Sequence, residues 1–135
     1  MANKSKKILS EISPGELLDK ISILEIKLDK VKDKKAQEEI KKEYKILKEI
    51  QNSSIDLTGK IKDLFQSVKN INIELWNIED KLRIHEKNKD FSKNFVELAR
   101  GVYLNNDRRA KIKSEINEML GSNIREIKQY VDYKI

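Results

Sequence analysis

Apolar residues recur every three to four positions along most of this chain, which is the spacing of one face of an α-helix. The signal is strongest between residues 57 and 82, where apolar positions keep a heptad rhythm over more than three repeats. A further apolar stripe follows over 95–119. These stripes predict an all-α protein.

The first apolar stretch leaves the number of helices open. Ser13 and the proline that follows it form a typical helix start. Apolar residues fill one face over 17–31, and a second set over 40–50 lies about 110° further round the helix. Either one long helix covers about 14–51 with a kink, or Asp33 caps a separate second helix. The sequence does not decide between these interpretations.

Two later helices have clearer ends. The segment NSSIDLTG at 52–59 is the clearest break, and the heptad stretch beyond it predicts a helix over about 57–88. Asp90 can cap the next helix, over about 91–120. Gly121 stands where a glycine usually ends a helix.

The expected architecture is one domain, residues 1–135, built as an antiparallel bundle of three long helices, or four if the first breaks near residue 33. A short C-terminal segment, 122–135, follows the last helix. The strings KKILSEI and QYVDYKI, near the two ends, both suit β-strands, so a short terminal β-ribbon is an open alternative there.

The composition indicates the cellular compartment and excludes several kinds of binding and catalytic site. The absence of cysteine suits a reducing compartment, so a cytoplasmic protein is expected. Apolar runs are too short to span a bilayer, and no membrane partner is expected. One histidine without cysteine supplies no zinc set, and no glycine-rich phosphate loop is present. No metal and no cofactor are therefore expected.

The net charge of +6 is only a weak indication of nucleic-acid binding. Residues 27–48 hold nine lysines against five acidic residues. Lysines interspersed with glutamate in this way usually form the solvated face of a helix. Nucleic-acid binding through this lysine-rich face is kept only as a disfavoured hypothesis.

Arginine is rare in the chain but concentrated in one stretch. Three of the five arginines, Arg100, Arg108 and Arg109, fall within VELARGVYLNNDRRA, against 24 lysines in the whole chain. The planar guanidinium can hold a carboxylate or phosphate with two hydrogen bonds, which lysine cannot do. Glu97 can pair with Arg100, but Arg108 and Arg109 have no carboxylate three or four residues away. Their partners are expected on another helix, another subunit or a ligand.

The preceding helix offers polar groups that could face this stretch. Asn106 and Arg109 occupy core-facing positions of the last helix. Asn72, Trp76 and Glu79 form a stripe at helical spacing on the helix before it. A tight hairpin between the two helices would bring the two sets close together.

This constellation has two interpretations. The favoured one is a buried polar network that fixes helix register or subunit pairing. The other is a pocket for an anionic molecule, in which the arginines hold the anion and Glu79 is the acid–base candidate if a reaction is catalysed. The candidate ligand-binding residues are Arg108, Arg109, Asn106, Arg100, Trp76, Glu79 and Asn72.

Several long strings resemble a family of short bacterial proteins that is a domain of unknown function. They are SPGELLDKISILEIK, ELWNIEDKLR and DFSKNFVELARGVYLNNDRRAKIKSEINEMLGS. The corresponding family motifs are SPGEL[IL]DK, WxIED and FVELARxVYxxNDRRA, whereas residues 32–55 and the C-terminal end depart from the family pattern. The resemblance implies no activity. It does imply a set of matching signature positions: Glu16, Asp19, Lys20, Trp76, Glu79, Asp80, Arg100, Asn106, Asp107, Arg108 and Arg109.

Three functional hypotheses follow. The first is a cytoplasmic helical module that self-associates through coiled-coil heptad positions, most simply as a dimer, and serves as a binding or scaffolding protein. The second is a small ligand-binding protein or enzyme acting on a carboxylate or phosphate metabolite. The third is the nucleic-acid hypothesis. An enzyme is the less favoured alternative.

Overall fold

The computed structural model describes residues 5–134, and within them the chain forms four α-helices. They are α1 (Pro14–Lys30), α2 (Lys34–Ser54), α3 (Gly59–Lys87) and α4 (Lys93–Met119). The all-α prediction is confirmed. Of the two helix counts that the sequence left open, the structure has four, because the first stretch divides in two near residue 33. No strand forms between residues 5 and 134, so the terminal β-ribbon is not found there.

The division between α1 and α2 has a local cause. The Asp33 carboxylate accepts a hydrogen bond from the Ala36 amide at 2.9 Å and so caps α2. The Gln37 side chain donates to the carbonyl oxygens of Leu28 and Val31, at 2.9 Å and 2.6 Å. These bonds satisfy the last carbonyls of α1, which a continuous helix would have used itself.

The helix starts agree only partly with the sequence expectation. Ser13 caps α1 as predicted, with its hydroxyl accepting from the Glu16 amide at 3.2 Å. Asp90 does not cap α4: the N-cap residue is Ser92, whose amide donates to the Asp90 carboxylate at 3.1 Å. Gly121 has a φ of +62°, which is the left-handed conformation that glycine allows just past a helix end.

Helix α1 is the centre of the arrangement. It contacts each of the other three helices, whereas α2 packs on α1 alone within the part of the chain that the structure describes. Helices α3 and α4 form an antiparallel hairpin, and α1 lies against both, parallel to α3 and antiparallel to α4. Helix α2 runs back along α1 and returns the chain to the end where α1 begins.

The main apolar core lies where the first half of α1 meets the hairpin. Leu18, Ile21 and Val68 are almost completely buried there, together with Ile116 of α4. The heptad positions of α3 face this interior, and six of them are buried inside the single chain: Ile61, Leu64, Val68, Ile71, Leu75 and Ile78.

The far end of the α3–α4 hairpin extends beyond α1. We call residues 81–100 the tip; none of them is buried. Ile84, Phe91 and Val96 expose 58%, 52% and 48% of their surface. We call the rest of the hairpin, with α1 beside it, the body. No helix between residues 5 and 134 is long and apolar enough to cross a membrane.

The C-terminal segment after α4 lies along that helix. The side chain of Asn123 donates to the Glu11 carboxylate at 3.1 Å, which joins the segment before α1 to the segment after α4. Further on, the Tyr133 hydroxyl bonds to Asp107, and its ring stands edge-on to Tyr103 with centroids 5.5 Å apart. The C-terminal segment therefore runs back beside α4.

Candidate functional site

A polar network crosses the interior where α1, α3 and α4 meet. Asp19 and Asn72 are only 4% and 5% exposed, and Ser22 is fully buried. The Asn72 amide donates to the Asp19 carboxylate and to the Ser22 hydroxyl, both at 2.8 Å. Ser22 in turn donates to the Asp19 carbonyl at 2.7 Å. The network satisfies these groups, as burial of polar atoms requires.

Arg109 extends this network from α4. Its Nη1 donates to Oδ1 of Asn72 at 2.9 Å. Asn72 thus binds partners on both sides, which fixes its amide orientation and holds the guanidinium in place. Arg109 forms no ion pair within 4.0 Å in residues 5–134, so no carboxylate of that part of the chain neutralises its charge.

Lys113 closes the other end of the network. Its Nζ lies 2.8 Å from Oε2 of Glu16 and 3.2 Å from Oδ2 of Asp19. Burial is the largest single influence and lowers the pKa of Lys113, but hydrogen bonds and negative charge from Glu16 and Asp19 together outweigh it and raise the pKa above its usual value. Lys113 is therefore the counterion of the buried Asp19 carboxylate.

Close contact between α1 and α4 sets the geometry of the network. The Gly15 amide donates to Oδ1 of Asn117 at 2.8 Å. A Cβ at Gly15 would lie 2.6 Å from the Lys113 carbonyl oxygen, a distance at which the two helices would have to move apart. The approach that glycine permits here is what brings Lys113 within reach of Glu16 and Asp19.

An open groove of about 370 Å³ lies beside the network and next to Arg109. Its apolar floor combines aliphatic side chains of α1 and α3 with the half-buried ring of Trp76. We call it the Trp76 groove; it is lined by Ile23, Ile26, Asn72, Leu75, Trp76, Glu79, Asp80, Arg83 and Arg109. Four of the seven predicted ligand-binding residues, Asn72, Trp76, Glu79 and Arg109, are thus brought together.

The other three candidates lie elsewhere. Asn106 lines a second groove of about 600 Å³, which the C-terminal segment forms against α4 and which Arg109 also borders. Arg108 points along the surface, with Asn105 at 2.9 Å and the Glu74 carboxylate of α3 at 3.8 Å. Arg100 pairs with Glu97 at 3.0 Å in solvent, as its spacing predicted.

One prediction on α4 needs correction. Asn106 was expected to face the core, but Asn105 is the buried asparagine, at 4% exposure, and Asn106 is only half-buried. Asn105 donates to the Gly101 carbonyl at 2.9 Å and accepts from Arg108. The cause lies in the helical spacing: Asn105 is three residues after Val102 and seven before Ile112, so it continues the apolar stripe, whereas Asn106 is one position further round the helix.

The sequence prediction identifies only two of the six network residues, Asn72 and Arg109. Asp19 and Glu16 enter the sequence prediction only as signature positions, and Ser22 and Lys113 are not among the predicted site residues. A signal was present: Arg109, Lys113 and Asn117 are spaced by four residues, beside Ile112 and Ile116, and so share one side of the helix with core residues. Polar residues repeated at this spacing next to buried positions indicate a network.

The chemistry of the groove suits an organic anion better than a metal ion. In residues 5–134, no group of three histidine, aspartate or glutamate side chains comes together as a set of metal ligands. The groove instead offers a guanidinium, an indole and an aliphatic floor. The lysine-rich 27–48 face lies mainly on α2, which is not part of the groove, and its role with nucleic acid stays a prediction.

The fold and the site define a four-helix protein with a buried polar network that positions one arginine beside a groove. The chain belongs to DUF6165, a family of unknown function, whose sequence model matches residues 8–133. This match confirms the expected membership in a family without an assigned function. Comparison with curated proteins and with solved structures gives no match.

Proposed function

We propose that the protein binds a small organic anion in the Trp76 groove, with Arg109 as the group that holds the negative charge. The observation that carries the proposal is the state of Arg109: a guanidinium fixed by a buried asparagine, on a groove wall, with no ion-pair partner in residues 5–134. A fixed arginine loses little side-chain freedom on binding, and its remaining N–H groups match a carboxylate or phosphate.

The buried network supports this proposal because it makes Arg109 rigid. Asp19, Ser22 and Asn72 are bonded to one another, and Lys113 compensates the Asp19 charge. A register-fixing network needs no cation that faces an open groove. The arrangement resembles a binding site in which buried side chains orient the residue that contacts the ligand.

Binding is proposed rather than catalysis. The acid–base candidate, Glu79, has its carboxylate 2.6 Å from Nη1 of Arg83, which also donates to the Glu79 carbonyl at 2.9 Å. Glu79 is thus engaged in an exposed ion pair on its own helix, the ordinary role of oppositely charged residues four positions apart.

The test uses Trp76, which is the only tryptophan in the chain and lines the groove itself. A panel of carboxylates and phosphates is titrated against the protein while tryptophan fluorescence and the melting temperature are recorded. A true ligand gives a saturable fluorescence change and stabilises the fold, by about 1.4 kcal/mol at ten times its Kd.

Two variants separate specific binding from general charge effects. Arg109→Gln should abolish the response, whereas Arg108→Gln, which alters the neighbouring surface arginine, should leave it intact. Equal losses in both variants, or no saturable response to any anion in the wild-type protein, would overturn the proposal. A response in melting temperature without a change in fluorescence would place the anion outside the Trp76 groove and would also contradict it.

A second candidate function, self-association, is favoured by the tip. The heptad positions 61–78 are occupied within the chain, so we propose that a dimer would use the exposed apolar residues Ile84, Phe91 and Val96 instead. Apolar side chains clustered at the end of a two-helix hairpin are typical of surfaces covered by a second helical pair.

Sedimentation equilibrium tests self-association directly. A dimer that dissociates on dilution is expected, and Val96→Lys should shift it to monomer without lowering the melting temperature of the monomer. As a control, Ile46→Lys changes an exposed apolar residue of α2, away from the tip, and should leave the dimer intact. A wild-type monomer at high concentration would exclude this function.

A further inference from the structure

The charges along the Trp76 groove are of both signs and lie at different levels of α3. Arg109 is held at the level of Asn72, whereas Asp80 lines the groove nearer the tip. Between residues 5 and 134, neither Arg109 nor Asp80 has an ion-pair partner within 4.0 Å. The groove's other two charges, Glu79 and Arg83, neutralise each other at 2.6 Å. One positive and one negative group therefore remain uncompensated.

The net charge of the lining argues against a strongly anionic ligand. Two arginines and two carboxylates line the groove, so its formal charge is zero. A ligand with several negative charges would meet Arg109 favourably and would be repelled by Asp80. A ligand with one charge of each sign meets a favourable partner at both positions.

The separation of the two positions limits the ligand further. Residues 72 and 80 are eight positions apart on one helix, which corresponds to about 12 Å along its axis. The charges of an α-amino acid are too close together to reach both groups. The groove between them has an apolar floor of Ile26, Leu75 and Trp76, which suits a chain of methylene groups.

From this distribution of charge we infer that the groove binds a bipolar molecule: a carboxylate or phosphate at Arg109, an aliphatic chain across Trp76, and an ammonium group at Asp80. The inference rests on the proposed function, since it assigns the same Arg109 to the anionic end. It adds the class of ligand, an ω-amino acid or a comparable amino-alkyl phosphate. The indole ring also favours a cation near its face.

The experiment compares three probes by Trp76 fluorescence and calorimetry: ω-aminooctanoate, octanoate and γ-aminobutyrate. The ω-aminooctanoate should bind about three- to fivefold more tightly than octanoate, which lacks the ammonium group, because the added ion pair is partly exposed. The γ-aminobutyrate should bind most weakly, because its shorter chain covers less of the apolar floor, and each missing methylene should cost about three- to fourfold in affinity.

Variants separate the two ends of the ligand. Asp80→Asn should remove the advantage of ω-aminooctanoate and leave octanoate bound at least as well as before. Asp63→Asn, an exposed aspartate of the same helix outside the groove, should change neither affinity. Arg109→Gln should weaken both ligands.

The outcomes distinguish the inference from the function on which it rests. If octanoate binds in an Arg109-dependent way but as tightly as ω-aminooctanoate, the bipolar ligand is wrong and the anion site stands. The same holds if only phosphate binds. If no carboxylate or phosphate gives an Arg109-dependent response, both fail.

Discussion

The body and the tip use the same two helices but differ in what lies beside them. In the body, α1 covers the α3–α4 hairpin, and Leu18, Val68 and Ile116 are fully buried. In the tip, the hairpin continues without α1, and no residue from 81 to 100 is buried. The contacts there are edge-to-face rings, such as Phe91 against Phe95 with centroids 5.2 Å apart.

The third helix, and not the heptad pattern, determines burial in this fold. Ile78 and Leu82 continue one heptad seam, yet Ile78 is buried and Leu82 only half-buried. In the tip, where only α3 and α4 pack together, the apolar side chains keep part of their surface exposed. The polar network occurs only in the body for the same reason, because Asn72 needs α1 on one side and α4 on the other.

The largest expected difference between the two regions is in the cost of removing an aliphatic side chain. Leu18→Ala, at a fully buried position, should lower the free energy of unfolding by about 2–5 kcal/mol. Ile84→Ala, in the tip, should change it by no more than about 0.5 kcal/mol. Urea unfolding of both variants at low protein concentration measures the two values. Similar costs would show that the tip is as well packed as the body.

The next largest effect concerns polar residues on a single helix. Asn72→Ala removes three hydrogen bonds and leaves Asp19 and Arg109 each without one partner, so a loss of about 1–3 kcal/mol is expected. The control is Asn77→Ala, an exposed asparagine of α3, for which about 0.5 kcal/mol or less is expected. The same urea experiment applies. A loss at Asn72 as small as that at Asn77 would mean that the network does not stabilise the body.

The sequence was sufficient for the helices because their signals are local. The cap at Ser13, the 52–59 break and the glycine at 121 depend on a few neighbouring residues, and each lies at a helix boundary or close to one. The break at residue 33 stayed undecided because a kink and a cap share the same pattern. The structure selects the cap at Asp33, and Gln37 supplies the bonds that stabilise it.

The site was predicted less completely because it depends on helix pairing. Asn72, Trp76 and Arg109 were found from stripes on two successive helices that form a hairpin. Asp19 lies on α1 and Lys113 on α4, which are far apart in the sequence. The ion pair between Glu16 and Lys113, for example, joins residues that are 97 positions apart. Nothing in the spacing within either helix reveals that α1 lies against α4. The wrong choice between Asn105 and Asn106 has a different origin, since the spacing of α4 alone places Asn105 on the apolar stripe.

Two glycines lie at contacts of different kinds, and the effects expected from replacing them differ accordingly. Gly15→Ala places a Cβ 2.6 Å from the Lys113 backbone oxygen, which cannot turn aside, so a loss of about 1–3 kcal/mol is expected. Gly101→Ala, near the base of the tip, meets only the end of the Ile78 side chain at 3.0 Å. There the gain in helix propensity, about 1 kcal/mol, offsets the crowding.

Thermal unfolding of the two glycine variants separates these cases. The Gly15 variant should melt below the wild-type protein and the Gly101 variant within a few degrees of it. Equal melting temperatures would mean that α1 and α4 can separate without cost, which would contradict the rigidity attributed to the body.

The smallest effect concerns α2, which packs on α1 alone and is therefore intermediate between body and tip. The Tyr44 hydroxyl donates to the Glu25 carboxylate at 2.9 Å, and Lys69 of α3 binds the other oxygen of that carboxylate at 2.9 Å. Burial, followed by the hydrogen bond and the charge of Glu25, raises the pKa of Tyr44 from 10.0 to about 12. Because the folded protein holds this proton more tightly than the unfolded chain does, the stability from Tyr44 is complete below pH 10 and is lost as the pH rises towards about 12.

Unfolding free energies of the wild-type protein and Tyr44→Phe, measured from neutral pH upwards, should therefore converge in that range, and Glu25→Gln should bring tyrosine ionisation back towards pH 10. Parallel curves for the wild-type and Tyr44→Phe proteins would show that α2 is held to α1 as loosely as the two helices of the tip are held to the rest.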